Sequence, residues 1–446
     1  MKKLVYWLLW FSSSANFWLR RRFTRSGLAV FAGAVIASLW GLDTNQSVTY
    51  QIFAFLVALL FLAIVVGLSR RYRFSATRIL PRFGTVGVPL QYRLVIHNPT
   101  RQGQSGFHLW ESFADPRPSL HEFLHTPKPV GQHRLFNYPH WLRLVARKRG
   151  AIAQPIDLPP LPPQRATEVT LEITPSRRGI IRFTGVLLTC PDPLGLFNTW
   201  TRIPLPQSLL ILPRLYPLPP IQLPGLRRYQ SGGVALASSV GDSEEFRSLR
   251  DYRPGDSLRK IHWKSWAKVG KPIVKEEQDE FFVRHALILD TFHPEADSEV
   301  LEAAISVAAS FAYEVQTQES LLDLMFVGTE AYCFTFGRGL GHTDRMLEIL
   351  ASVTACQERS FDYLTPVVIE RYSLLSGCIC VLLTWDTARQ ALVHQLQAMQ
   401  IPTLVIVITE DGQLPQLDHT DSIADVVSTH LHVLKYDRLQ EGLMQL

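Results

Sequence analysis

The residues best equipped for chemistry lie in one stretch, SLRDYRPGDSLRKIHWKSWAKVGKPIVKEE, from Ser248 to Glu277. It gathers Tyr252, Arg253, Asp256, Arg259, His262, Trp263 and Lys264 around the turn residues Pro254 and Gly255. Three uses of this set are open. Catalysis would take His262 as general base, with Lys264 or Arg259 stabilising an anion. A structural joint would use the Pro-Gly-Asp corner to start a helix, pair Arg253 and Arg259 with Asp251, Glu244 or Glu245, and bury Trp263 and Trp266 against a sheet. A docking surface would offer the same basic and aromatic groups to another protein. Asp256 is placed to cap a helix over 257–268, which sets Arg259, His262, Trp263 and Trp266 on neighbouring faces. Catalysis lacks companions: no nucleophile, paired carboxylate or phosphate-binding loop accompanies the set. GRGLG at 337–341 has no Lys-Ser/Thr after it and reads as a strand-to-helix turn. The expectation is a joint or a docking surface, and no catalytic residue.

The region that must position these residues, 240–446, alternates strand and helix patterns. HALILD (285–290) is a buried-type strand, followed by a helix with Leu301, Ala304, Ile305, Ala308, Phe311, Ala312 and Val315 on one face and Ser298 as its N-cap. LLDLMFVG, AYCFTF, CICVLLT, TLVIVIT and a late segment near HLHVLKY are further strands, with helices in TDRMLEILASVTA and TARQALVHQLQAM. Repeated βα units predict a mostly parallel sheet with helices on both faces, and ligands at its carboxyl edge, where the first strand ends in Asp290. Upstream, over 75–215, the period is two: Leu90, Tyr92, Leu94 and Ile96 alternate with polar residues, as do Val169, Leu171 and Ile173. Proline-rich breaks such as DLPPLPPQR separate these strands, which predicts an antiparallel β-sandwich.

Two uncharged apolar runs, Gly27–Leu42 and Ile52–Leu68, precede that region. Their outer flanks carry Arg20, Arg21, Arg22 and Arg25, then Arg70, Arg71 and Arg73, whereas the loop between them has no Lys or Arg. Basic residues prefer the cytoplasmic side, so a transmembrane hairpin over 27–68 is expected, with both termini and the soluble domains cytoplasmic. Residues 1–26 are aromatic and then basic, suited to lying along the membrane surface with Trp7, Trp10 and Trp18 at headgroup level.

The net charge of +6 conceals a division. Residues 1–82 hold 11 Lys/Arg and one acidic residue, residues 83–240 hold 17 and 7, and residues 241–446 hold 17 and 31. The acidic C-terminal part argues against nucleic-acid binding. The +10 of the middle region suits an anionic inner leaflet. Cys190, Cys333, Cys356, Cys378 and Cys380 show neither a zinc spacing nor a disulfide framework, which fits a reducing compartment.

The signature residues Tyr252, Pro254, Gly255, Asp256, Arg259, His262, Trp263, Lys264, Ala267 and Gly270 resemble the hallmark of the family catalogued as domain of unknown function 58. DPLGLF (192–197) followed by LLILPRLYPL is similar to a second pattern of that family. The resemblance implies a von Willebrand factor A-like C-terminal half and the company of MoxR-type AAA+ ATPases and membrane-bound transglutaminase-like proteins. It attaches no activity. A metal-binding A domain needs Asp-x-Ser-x-Ser after its first strand, a hard-oxygen set suited to magnesium. Here Phe292 and Pro294 stand at the serine positions, leaving only Asp290, Thr384 and Asp386. The expected architecture is a membrane α-hairpin, a β-sandwich and an A-domain-like α/β module. The expected function is a non-enzymatic, inner-membrane adaptor without a cofactor, working with such an ATPase. The alternative is a Mg/Mn-dependent enzyme or adhesion module on Asp290, Thr384 and Asp386.

Overall fold

The computed structural model divides the chain into two compact units, Met1–Leu212 and Pro213–Leu446. It describes residues 2–40, 47–69, 72–126, 138–219, 246–254, 256, 258, 261–277, 284–295, 298–317, 321–337, 340–413 and 431–446.

The first unit opens with three helices, α1 (Lys2–Arg22), α2 (Arg25–Trp40) and α3 (Ser47–Ser69). Small residues let α2 and α3 pack closely, with Ala34, Leu60 and Ala63 buried in one cluster. Two spans are expected from the sequence. Among the described residues only α3 is long and apolar enough to cross a membrane, over Val48–Gly67 with a mean hydropathy of 2.5. Helix α2 is apolar but shorter, at 16 residues. Most of the α3 span is not covered by protein, since 17% of its apolar window is buried, unlike the core helix of a soluble domain.

The strands that follow are β1 (Ser75–Ile79), β2 (Phe83–Thr85), β3 (Leu90–His97), β4 (His108–Phe113), β5 (Ala151–Ala153), β6 (Ile156–Asp157), β7 (Ala166–Pro175), β8 (Gly179–Pro191) and β9 (Asn198–Leu212). They form a four-stranded sheet in the order β1-β3-β7-β5 and a five-stranded sheet in the order β2-β9-β8-β4-β6. Every pairing is antiparallel except β2 with β9. Alternation sets the register. Tyr92 stands opposite Leu171 and Leu94 opposite Val169, so one face is uniformly apolar. That face shares a core with Leu109, Ile181, Phe183, Leu188 and Ile211 of the other sheet. A buried ion pair crosses the core: the Arg78 guanidinium donates to Glu111 at 2.8 Å, and Tyr92 Oη donates to the same carboxylate at 2.6 Å. Two helices, α4 (Leu120–His125) and α5 (Tyr138–Lys148), interrupt the strands unannounced by the alternating pattern. Phe123, Trp141 and Leu144 on them enclose Tyr6 of α1.

In the second unit β10 (Phe246–Asp251), α6 (Trp263–Val269) and β11 (Ile273–Glu277) form a separate hairpin module. The remainder is β12 (Arg284–Leu289), α7 (Glu299–Thr317), β13 (Leu321–Val327), β14 (Ala331–Phe336), α8 (Leu340–Ser352), α9 (Leu364–Ile369), β15 (Gly377–Leu382), α10 (Thr387–Ala398), β16 (Thr403–Thr409), β17 (Leu431–Lys435) and α11 (Leu439–Leu443). Its six strands lie in the order β14-β13-β12-β15-β16-β17. Four pairings are parallel, and the edge strand β14 runs antiparallel to β13. Every residue of β12 and β15 is buried, as strands covered by helices on both faces require. On α7, Leu301, Ala304, Ile305, Ala308, Phe311 and Ala312 are buried as the helical spacing predicts. Ser298 directly precedes α7, where its carbonyl accepts from Glu302 N–H at 3.1 Å and its hydroxyl meets His293 Nε2 at 3.1 Å. Strand order reverses between β12 and β15, so the loops after them share one crevice.

Candidate functional site

The signature stretch folds as two antiparallel strands with a turn and a short helix between them. Leu249 pairs with Lys275 and Arg250 with Val274. Ile261 bridges back to Val274, and His262 N–H donates to the Ile273 carbonyl at 2.8 Å. Among the described residues Ile261, Ile273 and Val274 are buried in this module. Asp256 closes the turn. Its carboxylate accepts two bonds from the Arg250 guanidinium, each 2.7 Å, and one from Arg253 N–H at 2.8 Å. The Arg250 hydrogen bonds first, then the Arg253 N–H, hold the Asp256 carboxyl down to a pKa of about 2. The helix starts later, at Trp263, with His262 at its N-cap but no side-chain cap. His262 Nδ1 instead meets Ser265 Oγ at 2.6 Å. Gly270 ends the helix in the left-handed region, φ 72°, where a residue with a Cβ is disfavoured.

Among the described residues the ion pair of the module is Arg250–Asp256, which the joint reading did not name; the Arg253 side chain is exposed, and its expected pairing with Glu244 or Glu245 lies outside the described residues. The tryptophans do not bury against a sheet, for α6 has no buried residue. Trp263 is 63% exposed, and its ring stacks on Trp266 with centroids 5.2 Å apart and planes 19° apart. Leu258, Val269 and Lys264 are exposed nearby. Gly255, Arg259, Glu244 and Glu245 lie outside the described residues, so the pairings expected of Arg259 do too. The structure therefore brings Tyr252, Arg253, Pro254, Asp256, His262, Trp263 and Lys264 onto one small module, with its aromatic and basic side outward.

Charge sets this module apart. Residues 246–275 carry nine Lys/Arg and two acidic residues, and the other residues of 241–446 carry 8 and 29. A basic, aromatic projection stands in an acidic region of sequence.

The crevice between β12 and β15 was the candidate metal edge. Asp290 is fully buried and both of its carboxylate oxygens are engaged. Oδ1 accepts from Phe292 N–H at 3.0 Å; Oδ2 accepts from Leu383 N–H at 3.0 Å and from Arg389 Nε at 2.6 Å. Arg389 also donates through Nη1 to Asp386, whose Oδ1 caps α10 at Arg389 N–H. The guanidinium carbon sits 4.6 Å from the centre of the Phe361 ring. Burial works against the Arg389 charge, but hydrogen bonds and attraction from Asp290 and then Asp386 outweigh it and raise its pKa above the ordinary arginine value. Thr384 is exposed and is not among these hydrogen-bond partners. The residues present do not fit a divalent cation, because the internal Arg389 guanidinium already donates to both carboxylates. No group of three or more His, Cys, Asp or Glu suited to a metal occurs among the described residues.

Sequence reasoning did not single out Arg250 and Arg389, which organise the two places. Asp386 and Arg389 stand three apart at a helix start, a spacing that signals a capped ion pair. Arg250 carried no comparable signal, since its partner is brought to it by the turn.

DPLGLF forms a third organised feature. Asp192 accepts from the N–H groups of Leu194, Leu196 and Phe197 at 3.1, 2.6 and 2.7 Å, so the loop closes on its own carboxylate. The Phe197 ring meets Phe23 at 5.5 Å, Thr24 N–H donates to the Leu196 carbonyl at 3.2 Å, and Thr199 Oγ1 donates to the Gly67 carbonyl at 3.0 Å. The loop thereby grips the start of α2 and the end of α3. A Cβ at Gly27 would lie 1.9 Å from the Leu196 carbonyl oxygen, so only glycine permits this approach.

Residues 248–410 match the family described as "Protein of unknown function DUF58". A relative in Bacillus subtilis (strain 168), "Uncharacterized protein YeaD", is 28% identical over 190 residues, which cover 42% of this chain and 46% of the relative. The match thus spans less than half of that relative's length. Among solved structures, a CARDB domain from Pyrococcus furiosus is 12% identical over 31% of this chain and 93% of its own, with a TM-score of 0.17. A superoxide reductase from Ignicoccus hospitalis is 14% identical over 32% of this chain and 88% of its own, with a TM-score of 0.13. Likenesses that low bear on neither fold nor function.

Proposed function

We propose, from a chain whose residues 248–410 belong to the DUF58 family, that it is a membrane-anchored, non-enzymatic adaptor that docks a partner protein through α6 and its turn. The observation that carries this reading is the exposed Trp263, stacked on half-buried Trp266 beside Lys264. The module leaves Trp263 exposed and Trp266 half-buried, and Trp and Lys/Arg together favour an acidic, apolar-rimmed protein surface. The arrangement around Asp256 presents this face rigidly, which lowers the ordering cost of binding.

The chain is anchored by the α2–α3 hairpin in the cell membrane, the inner one where there are two. The arginines on its outer flanks favour the cytoplasmic side for both termini and for the soluble parts. The six-stranded sheet, with its antiparallel edge and Arg389 at the carboxyl crevice, is a von Willebrand factor A-like module that keeps the shape and has replaced the cation. The partner class favoured by the family resemblance is a MoxR-type AAA+ ATPase, with a transglutaminase-like membrane protein in the same complex.

Co-purification of the full chain from mild detergent tests this, comparing the natural chain with Trp263→Ser/Trp266→Ser. An AAA+ ATPase recovered with the natural chain and reduced at least tenfold with the variant is the expected result. Equal recovery, or none with either chain, contradicts the docking assignment. Circular dichroism of the variant guards against misfolding.

A further inference from the structure

The geometry points to α1 as a helix that lies in the membrane surface, its outer face inserted among anionic lipid headgroups. The inference rests on the membrane reading of α2–α3 and adds a second attachment. Leu4, Trp7, Leu8, Phe11 and Trp18 are all exposed, Phe11 by 70%. At 100° per residue they fall within about 100° of arc, one continuous apolar stripe. The opposite side is occupied around Tyr6 and Trp10, with Phe17 beyond them 56% exposed. Tyr6 is buried, its hydroxyl donates to the Pro118 carbonyl at 3.2 Å, and its ring meets those of Phe123 and Trp141 at 5.6 and 5.7 Å. Arg117 lies 4.6 Å from the Trp10 ring. The helix is therefore held by its inner face and leaves its apolar face uncovered.

Two observations select lipid as the occupant. Residues 1–25 hold six Lys/Arg and no acidic residue, which complements an anionic leaflet. The stripe is also continuous with the apolar hairpin: the Trp18 ring meets Phe23 at 6.2 Å, and Phe23 meets Phe31 of α2 at 5.9 Å. Tryptophan at such a depth has its apolar body in the acyl boundary and its N–H among headgroups. A soluble helix with this stripe would be an aggregation liability. Beside a membrane span it is an anchor that fixes the orientation of α4, α5 and the sheets they pack with.

Spin labels on the full chain, reconstituted in phosphatidylglycerol/phosphatidylcholine nanodiscs, test this. Labels at Phe11→Cys, Asn16→Cys and Phe55→Cys, with Cys333→Ser in each, are compared for collision with oxygen and with a water-soluble nickel chelate. The inference expects position 11 to be oxygen-accessible and nickel-protected to a shallow depth, position 16 to be nickel-accessible, and position 55 to lie deep. Position 55 deep with position 11 freely nickel-accessible overturns the inference and leaves the hairpin standing. Position 11 protected from both reagents marks a protein occupant, such as a second copy, and also overturns it. Position 55 exposed to nickel removes the membrane premise itself.

Discussion

Arg389 illustrates how one side chain decides what a crevice does. Its guanidinium takes hydrogen bonds to Asp290 and Asp386 in the place where a cation would have to sit. Removing one member of a buried ion pair leaves the other charge unsatisfied, at a cost of about 3–5 kcal/mol. Arg389→Ala is therefore expected to lower stability by that order in urea unfolding, and Asp290→Asn/Arg389→Met by distinctly less. The natural chain should show no rise in thermal stability with Mg or Mn, because the Arg389 guanidinium already holds both carboxylates. His285 offers a pH test at the same scale. Burial holds its pKa down to about 4 in the folded chain, against about 6.5 unfolded. Below pH 6.5 the unfolded chain takes up a proton that the folded chain refuses. Stability is thus intact above pH 6.5 and falls between pH 6.5 and 4, by roughly 3 kcal/mol in total for this group. His285→Leu should remove that part of the slope.

Elements of strong period were legible before any coordinates. Strands β3, β7, β12, β15 and β16 and the helix α7 follow from alternation or helical spacing, because burial on one or both faces dictates residue type. The hairpin of β10 and β11 was not legible. Its strands are short and charged, and what holds them is Arg250 meeting Asp256 across a turn, a contact made by folding. The same limit hid Arg389 behind Asp386, and placed the start of α6 at Asp256 when the carboxylate is spent on the turn. Helices α4 and α5 were missed because their partner is Tyr6, more than a hundred residues away. The DPLGLF loop yields a prediction at this scale. Gly27→Val must displace the Leu196 backbone, so hydrogen exchange should accelerate at residues 192–197 and at the start of α2 by at least tenfold. Unchanged exchange there would mean that the loop does not hold the hairpin.

Over the whole molecule, charge and hydropathy are segregated along the chain. An uncovered apolar helix and basic flanks lie at the N-terminal end, and an acidic unit with a basic, aromatic projection lies at the other. Such a distribution suits a protein fixed at a membrane that presents a docking face. Site-specific photocrosslinking in living cells tests that central claim most directly. A photoreactive phenylalanine analogue replaces Trp263 in one chain and the exposed Tyr372, elsewhere on the same unit, in another. The account predicts a discrete crosslink from position 263 to an AAA+ ATPase and none from position 372. Absence of any crosslink at 263, or the same products from both positions, would contradict it.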